Sequence, residues 1–259
     1  MRYFLELAYN GASYHGWQSQ PNVVSVQSTI ENALAVLLQE KINITGAGRT
    51  DSGVHAYQMY AHFDSDNDKL NDKKTILSLN SLIGKNINIK RIFPVSDNAH
   101  ARFDATKRTY KYFITNNKSS FFHDLCWFCH SGLDFEAMNE ASEILLETKD
   151  FTSFAKLHSD NKTNICKVTE AQWKPLSEDR EAYDFLGNLN HGYVFTISAD
   201  RFLRNMVRAV VGTLIEVGKH KLSQKDFQAI IKEKDRCAAG TSMPAHALYL
   251  WHISYPFLE

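Results

Sequence analysis

The stretch 44-ITGAGRTDSGVHA-56 places three glycines within eight residues and sets an arginine, a threonine, an aspartate, a serine and a histidine among them. Glycine permits positive φ and lets another backbone come close, so the stretch reads as a loop built to carry side chains. A phosphate-binding loop needs G-x-x-x-x-G-K-[ST]. Gly48 and Gly53 supply that spacing, but Val54 and His55 follow them. A dinucleotide fingerprint needs G-x-G-x-x-G. Gly46 and Gly48 match it, yet the third position is Asp51, whose carboxylate would repel a pyrophosphate. Asp51, Ser52 and His55 lie too close together to form a hydrolytic triad, whose members approach from different directions. No G-x-S-x-G elbow is present. What remains is Asp51, flanked by Arg49 and Thr50. An exposed carboxylate without a metal partner suits a nucleophile acting on a sugar carbon. An Asx-type turn, in which Asp51 bonds only its own backbone, fits the same residues.

Outward from the loop, hydrophobic period assigns the elements. Alternation in "RYFLELAY" (2–9), "HAYQMYAHFD" (55–64) and "INIKRIFPV" (87–95) predicts strands. Val26, Ile30, Ala33, Leu34, Leu37 and Leu38 form the stripe of an amphipathic helix, with Ser25 as its N-cap. A second helix is predicted over "DKKTILSLNSLIG" (72–84). "RTYKYFITN" (108–116) looks like a second version of the first strand. Helix 134–148, strands 165–173 and 192–202, helices 202–218 and 223–233, and strand 247–255 follow. The pattern predicts an α+β chain of two pseudo-symmetric lobes, 1–104 and 105–259, with mostly antiparallel sheets flanked by helices.

Composition narrows the classes. The 259 residues are 44% hydrophobic, enough for a substantial core. Lys+Arg and Asp+Glu both number 29, so bulk charge does not hold a partner, although local basic clusters still could. No apolar run approaches the ~20 residues of a membrane span. The start lacks a signal-peptide pattern, and a soluble cytoplasmic protein is expected. "CWFCH" (126–130) matches the C-x-x-C-H spacing of haem attachment, and C-x-x-C also suits a redox pair or half a zinc site. Cys166 and Cys237 are isolated, so the expectation is buried thiols on an aromatic-rich strand. Asp64, Asp66 and Asp68 have calcium-loop spacing, but Lys69 and Thr75 stand where Gly and Glu are required. His55, His62, His123, His130, His191 and His246 show no metal-ligand spacing.

The loop closely resembles the signature of the tRNA pseudouridine synthase A family, in its run "GAGRTDSGVHA". Further blocks in family order are "YNGASYHGWQ", "ARFDATKRTYKYFI", "DFTSFA", "RFLRNMVRAVVGTLIEVG" and "MPAHALYLWHISYP", spanning nearly the whole chain. The resemblance implies a pseudouridine synthase fold with an active-site cleft between its lobes. It implies isomerisation of uridine to pseudouridine in the anticodon stem-loop of tRNA, at positions 38 to 40. No cofactor and no metal are required, because the reaction is neither redox nor hydrolytic. It also implies a homodimer. By resemblance, Asp51 is the catalytic aspartate and Tyr110 the active-site tyrosine, while Arg208 pairs with the aspartate. Arg49 takes the place of the everted base, and Thr50 joins it in contacting substrate. Arg204 and Arg201, four and seven residues before Arg208 on an expected helix, are assigned to phosphates, with Lys107, Arg108 and Lys111 as a second basic cluster. Ser52 and Ala247 depart mildly from the family pattern, and "CWFCH" has no place in it.

Overall fold

The computed structural model describes residues 1–68, 70–130, 132–157, 162–187 and 192–258. Its strands and helices begin with β1 (Arg2–Tyr9), α1 (Val26–Leu38), β2 (Thr45–Gly46), β3 (His55–Asp64), α2 (Lys73–Ile83) and β4 (Ile87–Val95). They continue with β5 (Lys107–Thr115), β6 (Trp127–Phe128), α3 (Phe135–Glu147), β7 (Val168–Pro175) and α4 (Arg180–Leu186). The last are β8 (Gly192–Ala199), α5 (Met206–Gly218), α6 (Gln224–Glu233) and β9 (Leu248–Ser254). Two compact units result, one of Met1–Lys107 with Tyr249–Glu259, the other of Arg108–Leu248. The expected boundary at 104/105 therefore moves three residues, and the final strand joins the first unit.

In that first unit β1 is central, antiparallel to β3 (Phe4↔His62) and to β4 (Phe4↔Phe93). Both faces of β1 are covered. Tyr3, Leu5 and Leu7 are buried on one side, and Phe4 is buried on the other among Phe93, Tyr255 and Phe257. Glu6 shares that second face. Burial alone would raise its carboxyl, but hydrogen bonds from Arg91 and Gln58 bring it below the ordinary range. Helix α1 starts where the capping signal predicts. The Ser25 hydroxyl accepts from Ser28 N at 3.1 Å, and Ser28 Oγ accepts from Ser25 N at 3.2 Å.

Strand β9 completes this unit by pairing with β3 in parallel, His55 opposite Tyr249. Its core side chains Tyr249, Leu250, Trp251 and Ile253 are buried. Gln58 Oε1 accepts from Ile253 N at 3.1 Å, and the Tyr255 hydroxyl donates to Ala101 O at 2.5 Å. Alternation identified β9 as a strand, but alternation carries no information about a partner almost 200 residues away.

In the second unit β8 lies between β5 and β7, antiparallel to both, with Tyr110 opposite Ile197 and Trp173 opposite Phe195. The short β6 runs parallel to β5, Ile114 opposite Trp127. Helix α5 is buried on almost every side and forms this unit's centre. Gly218 brings it against α3, where a Cβ would sit 2.4 Å from Met138 Sδ. The helix predicted from residue 202 begins only at Met206. Asn205 adopts φ 66°, and the Asp200 carboxylate accepts from Lys167 N and Arg201 N at 2.8 and 2.7 Å, holding the chain in a turn. Helix α4 was not foreseen. Its seven residues give too short a window for a 3.6-residue period, and it rests on the Asp179 cap instead.

Candidate active site

Asp51 sits on a loop whose backbone is fixed by a second loop, residues 9–17. Trp17 N donates to Thr50 O (3.2 Å), and Gly53 N donates to Tyr14 O (3.3 Å). The Ser52 hydroxyl reaches the same Tyr14 carbonyl at 3.3 Å. Val54 N donates to Asp51 O at 3.1 Å, closing a turn in which Gly53 takes φ +79°. The glycines belong to this mutual embrace. A Cβ on Gly11 would lie 2.0 Å from Val54 O, and one on Gly16, at φ +87°, would lie 2.5 Å from Thr50 O. One on Gly46 would strike the Trp17 indole at 2.5 Å. Gly48, in contrast, faces open space.

The side chains divide between inside and outside. Thr50, expected at the substrate, is buried, and its hydroxyl bonds the Tyr9 hydroxyl at 2.9 Å, anchoring the loop from within. His55 is buried too. Its Nδ1 accepts from Gly11 N at 3.0 Å, and its ring stacks on Tyr249 at 4.6 Å. That makes His55 a structural ligand of the neighbouring loop. Asp51 is half-buried, while Arg49 is exposed with Nε donating to Gln18 Oε1 at 3.1 Å. Fixing the backbone on both sides leaves a carboxylate and a guanidinium directed by a rigid frame, which is what preorganised chemistry needs.

The remaining predicted residues lie in the second unit. Tyr110, half-buried on β5, meets Phe202 edge-on at 5.0 Å and 82°. Arg208 lies in the first turn of α5, where its Nε donates to Met243 O at 2.6 Å. Met243 N donates back to Arg208 O at 3.1 Å, so the two residues are tied at both backbone and side chain. This closeness depends on Gly212, whose Cβ would lie 1.8 Å from Thr241 O. Arg236 stiffens the same segment through Gly240 O (3.1 Å) and Ser242 Oγ (2.8 Å), and Asn205 Nδ2 bonds Ser242 Oγ at 2.6 Å. Arg201 and Arg204 precede α5, so the expected shared helical face with Arg208 does not form. Arg204 is exposed and Arg201 half-buried.

One expected phosphate contact is overturned. Lys111 is buried, with Nζ 2.6 Å from Asp179 Oδ2 and 3.8 Å from Glu181 Oε2. The pair ties β5 to the cap of α4. Lys111 points there because side chains alternate along β5, which sends Tyr110 and Lys111 to opposite faces. Cys126 and Cys129 are buried thiols beside β6 with no disulfide, as the strand reading expected. Burial pushes the Cys126 thiol up to about 11, and it donates to Phe122 O at 3.2 Å. Lys69 and His191 lie outside the described residues. Among the described residues, no cluster of His, Cys, Asp or Glu could hold a metal ion, and no helix is long and apolar enough to cross a membrane.

Sequence reasoning missed the residues that build the frame: Tyr9, Tyr14, Gly16, Gln18 and Arg236. For the first four the signal was present as a second glycine-rich loop, "YNGASYHGWQ", but nothing in its composition says which loop it meets, and Arg236 carried no such signal.

Mixed α/β units with antiparallel sheets, and an aspartate on a loop braced by another loop, define the class of the chain. The family model for tRNA pseudouridine synthase matches residues 141–256. A protein of Bacteroides fragilis named tRNA pseudouridine synthase A is 50% identical over 255 residues, covering 98% of this chain and 96% of that protein. Proteins of the same name from Aliivibrio salmonicida and Caldicellulosiruptor bescii are 38% and 37% identical. The first covers 99% of this chain and 93% of its own length, the second 97% and 98%. The chain belongs to the tRNA pseudouridine synthase family.

Proposed function

We propose that this protein isomerises uridine to pseudouridine in tRNA. The N1–C1′ bond breaks, the uracil turns, and a C5–C1′ bond forms, so no atom is gained or lost apart from the exchange of the C5 proton for one on N1. The observation that carries this reading is the braced loop holding Asp51 in a chain similar over nearly its full length to enzymes named tRNA pseudouridine synthase A.

Asp51 acts on the ribose, either by attack on C1′ or by removal of a ribose proton. Tyr110 stacks on the uracil and its hydroxyl assists loss of the C5 proton. Arg208 keeps the aspartate ionised as water leaves, its planar guanidinium being suited to a carboxylate. The target must leave the helical stack, which costs a few kcal/mol of stacking and pairing. Arg49 fills the gap, and phosphate contacts from Arg201 and Arg204 offset the cost.

The substrate is the anticodon stem-loop, at positions 38 to 40, bound by a cytoplasmic homodimer. The deciding experiment is incubation of the purified protein with unmodified tRNA followed by base-resolved mapping of pseudouridine. New pseudouridine within positions 38 to 40 supports the reading. Tight tRNA binding with no pseudouridine would make the protein a non-catalytic RNA binder on the same fold. Light scattering tests the assembly, because a mass near the 29.6 kDa of one chain contradicts the homodimer.

A further inference from the structure

Arg49 is an exposed arginine on a glycine loop, a setting in which a long side chain ordinarily samples many rotamers. Here it begins a chain of side-chain amides. Arg49 Nε donates to Gln18 Oε1 at 3.1 Å. That orients the Gln18 amide with its nitrogen outward, and Nε2 donates to Gln27 Oε1 at 2.9 Å. Gln27 Oε1 also accepts from Ser19 N at 3.0 Å. Its own nitrogen then donates to Glu31 Oε1 at 2.9 Å and to Ile44 O at 3.1 Å. Glu31 Oε1 accepts in addition from Ile44 N at 2.9 Å.

Every link has one sense. Guanidinium is donor only and carboxylate is acceptor only, so the two ends dictate how both intervening amides point. Flipping either amide would set donor against donor and acceptor against acceptor. The far end is also the rigid end. Gln27 and Glu31 are one turn apart on α1, and buried Ile44 has both backbone polar groups engaged two residues before Gly46. The chain therefore joins a capped helix to the exposed tip of the Asp51 loop, and it does so on the guanidinium rather than on the loop backbone.

We infer that Gln18 and Gln27 are positioning residues, which hold the Arg49 guanidinium in the orientation that fills the space left by the everted uridine. The inference rests on the isomerase reading above. Neither glutamine touches the reacting atoms. Their positioning effect passes through Arg49, whereas the bonds of Gln27 to Ser19 N and Ile44 O support the backbone directly, and removal of Arg49 separates the two.

The test is a double-mutant cycle on the full chain with Gln27→Leu, Arg49→Ala and the pair together. Single-turnover pseudouridine formation is measured, along with eversion reported by 2-aminopurine placed beside the target uridine in the tRNA. Gln27→Leu is expected to slow both signals about tenfold with tRNA affinity unchanged, the size of effect that misplaced groups produce. In the Arg49→Ala background it should change them less than about twofold. Gln18→Leu, which leaves the bonds of Gln27 to Glu31 and Ile44 in place, should reproduce this and serves where Gln27→Leu does not fold. Equal slowing with and without Arg49 overturns the positioning role and leaves the isomerase reading standing. A wild-type protein that forms no pseudouridine overturns the isomerase reading itself.

Discussion

The Asp51 loop and the start of α5 hold their polar side chains by opposite means. Around Asp51 the backbone is clamped, with carbonyls and amides of residues 50 and 53 bonded to residues 14 and 17, and the side chain projects from that frame. At Arg208 the side chain itself is clamped, its Nε on Met243 O, while the helix supplies the backbone. A carboxylate that must meet a carbon atom benefits from a stiff mount. An arginine with five donors can bond the protein and a second group at the same time. In both regions glycines make the closest approaches: Gly11 and Gly16 for the loop, and Gly212, one turn after the arginine, with Gly240 packed against it.

Substitutions separate these two designs. The largest effect is expected for Asp51→Asn, which keeps the shape of the mount and removes the charge. Pseudouridine formation should fall by at least about a thousandfold while tRNA affinity stays within about twofold, measured by single-turnover assay and filter binding. Retention of near-wild-type activity would remove Asp51 from the chemistry.

Gly212→Ala comes next, because its Cβ would enter the Thr241 carbonyl. Overpacking of this kind costs about 1–3 kcal/mol. Thermal denaturation should show a lowered midpoint, and activity should fall with it as the Met243 carbonyl leaves Arg208. Gly16→Ala should cost a similar 1–3 kcal/mol, from positive φ and contact with Thr50 O, but should disturb the Asp51 loop instead. If either variant perturbed both regions alike in hydrogen exchange, the two mounts would not be independent.

A pH scan sharpens the comparison by acting on one unit. Burial, with the nearby charges of His100 and Arg2, lowers the His62 imidazole to about 4 from an ordinary 6.5. Its Nδ1 accepts from Ala101 N at 3.1 Å, which requires the unprotonated nitrogen. The unfolded chain therefore binds a proton at higher pH than the folded one does. His62 contributes its full stability above about pH 6.5, and that contribution is lost as pH falls toward 4, a loss of up to about 3 kcal/mol. Midpoints recorded between pH 7 and 4.5 should drop for the wild type and flatten for His62→Gln. An identical slope in the variant would assign the pH dependence elsewhere. The smallest effect is expected for Thr50→Val, which removes the hydroxyl from Tyr9 and should cost about 1 kcal/mol.

Much of the fold was legible in the sequence. Strand β3 covers the same ten residues that alternation marked, and α1 starts on the serine identified as its cap. Legibility failed where a distant residue decides the local structure. The Asp200 carboxylate and the positive φ of Asn205 delay α5 by four residues, which leaves Arg204, like Arg201, ahead of the helix. Lys111, in a basic run, is expected at a phosphate, but Asp179, the N-cap of α4, takes its ammonium into the interior. The Asp51 loop was found from its residue types, whereas the loop that braces it could be recognised only once folded. Of the loop glycines expected to let another backbone come close, Gly46 seats the Trp17 indole, and the close backbone approaches are made by Gly11 and Gly16 of the bracing loop.

The placement of β9 has a consequence for the order of events on the ribosome. The stack of His55 on Tyr249 and the pairing of β3 with β9 need residues that are translated only after the entire second unit. The unit bearing Asp51 thus emerges first and is completed after the other. A stalled or truncated nascent chain lacking residues 249–258 would leave the start of β3, at His55 and Ala56, without its β9 partner, inviting strand-to-strand association between unfinished copies. Quality control of this protein is therefore expected to concentrate on its earliest-made portion, during the interval before its last strand arrives.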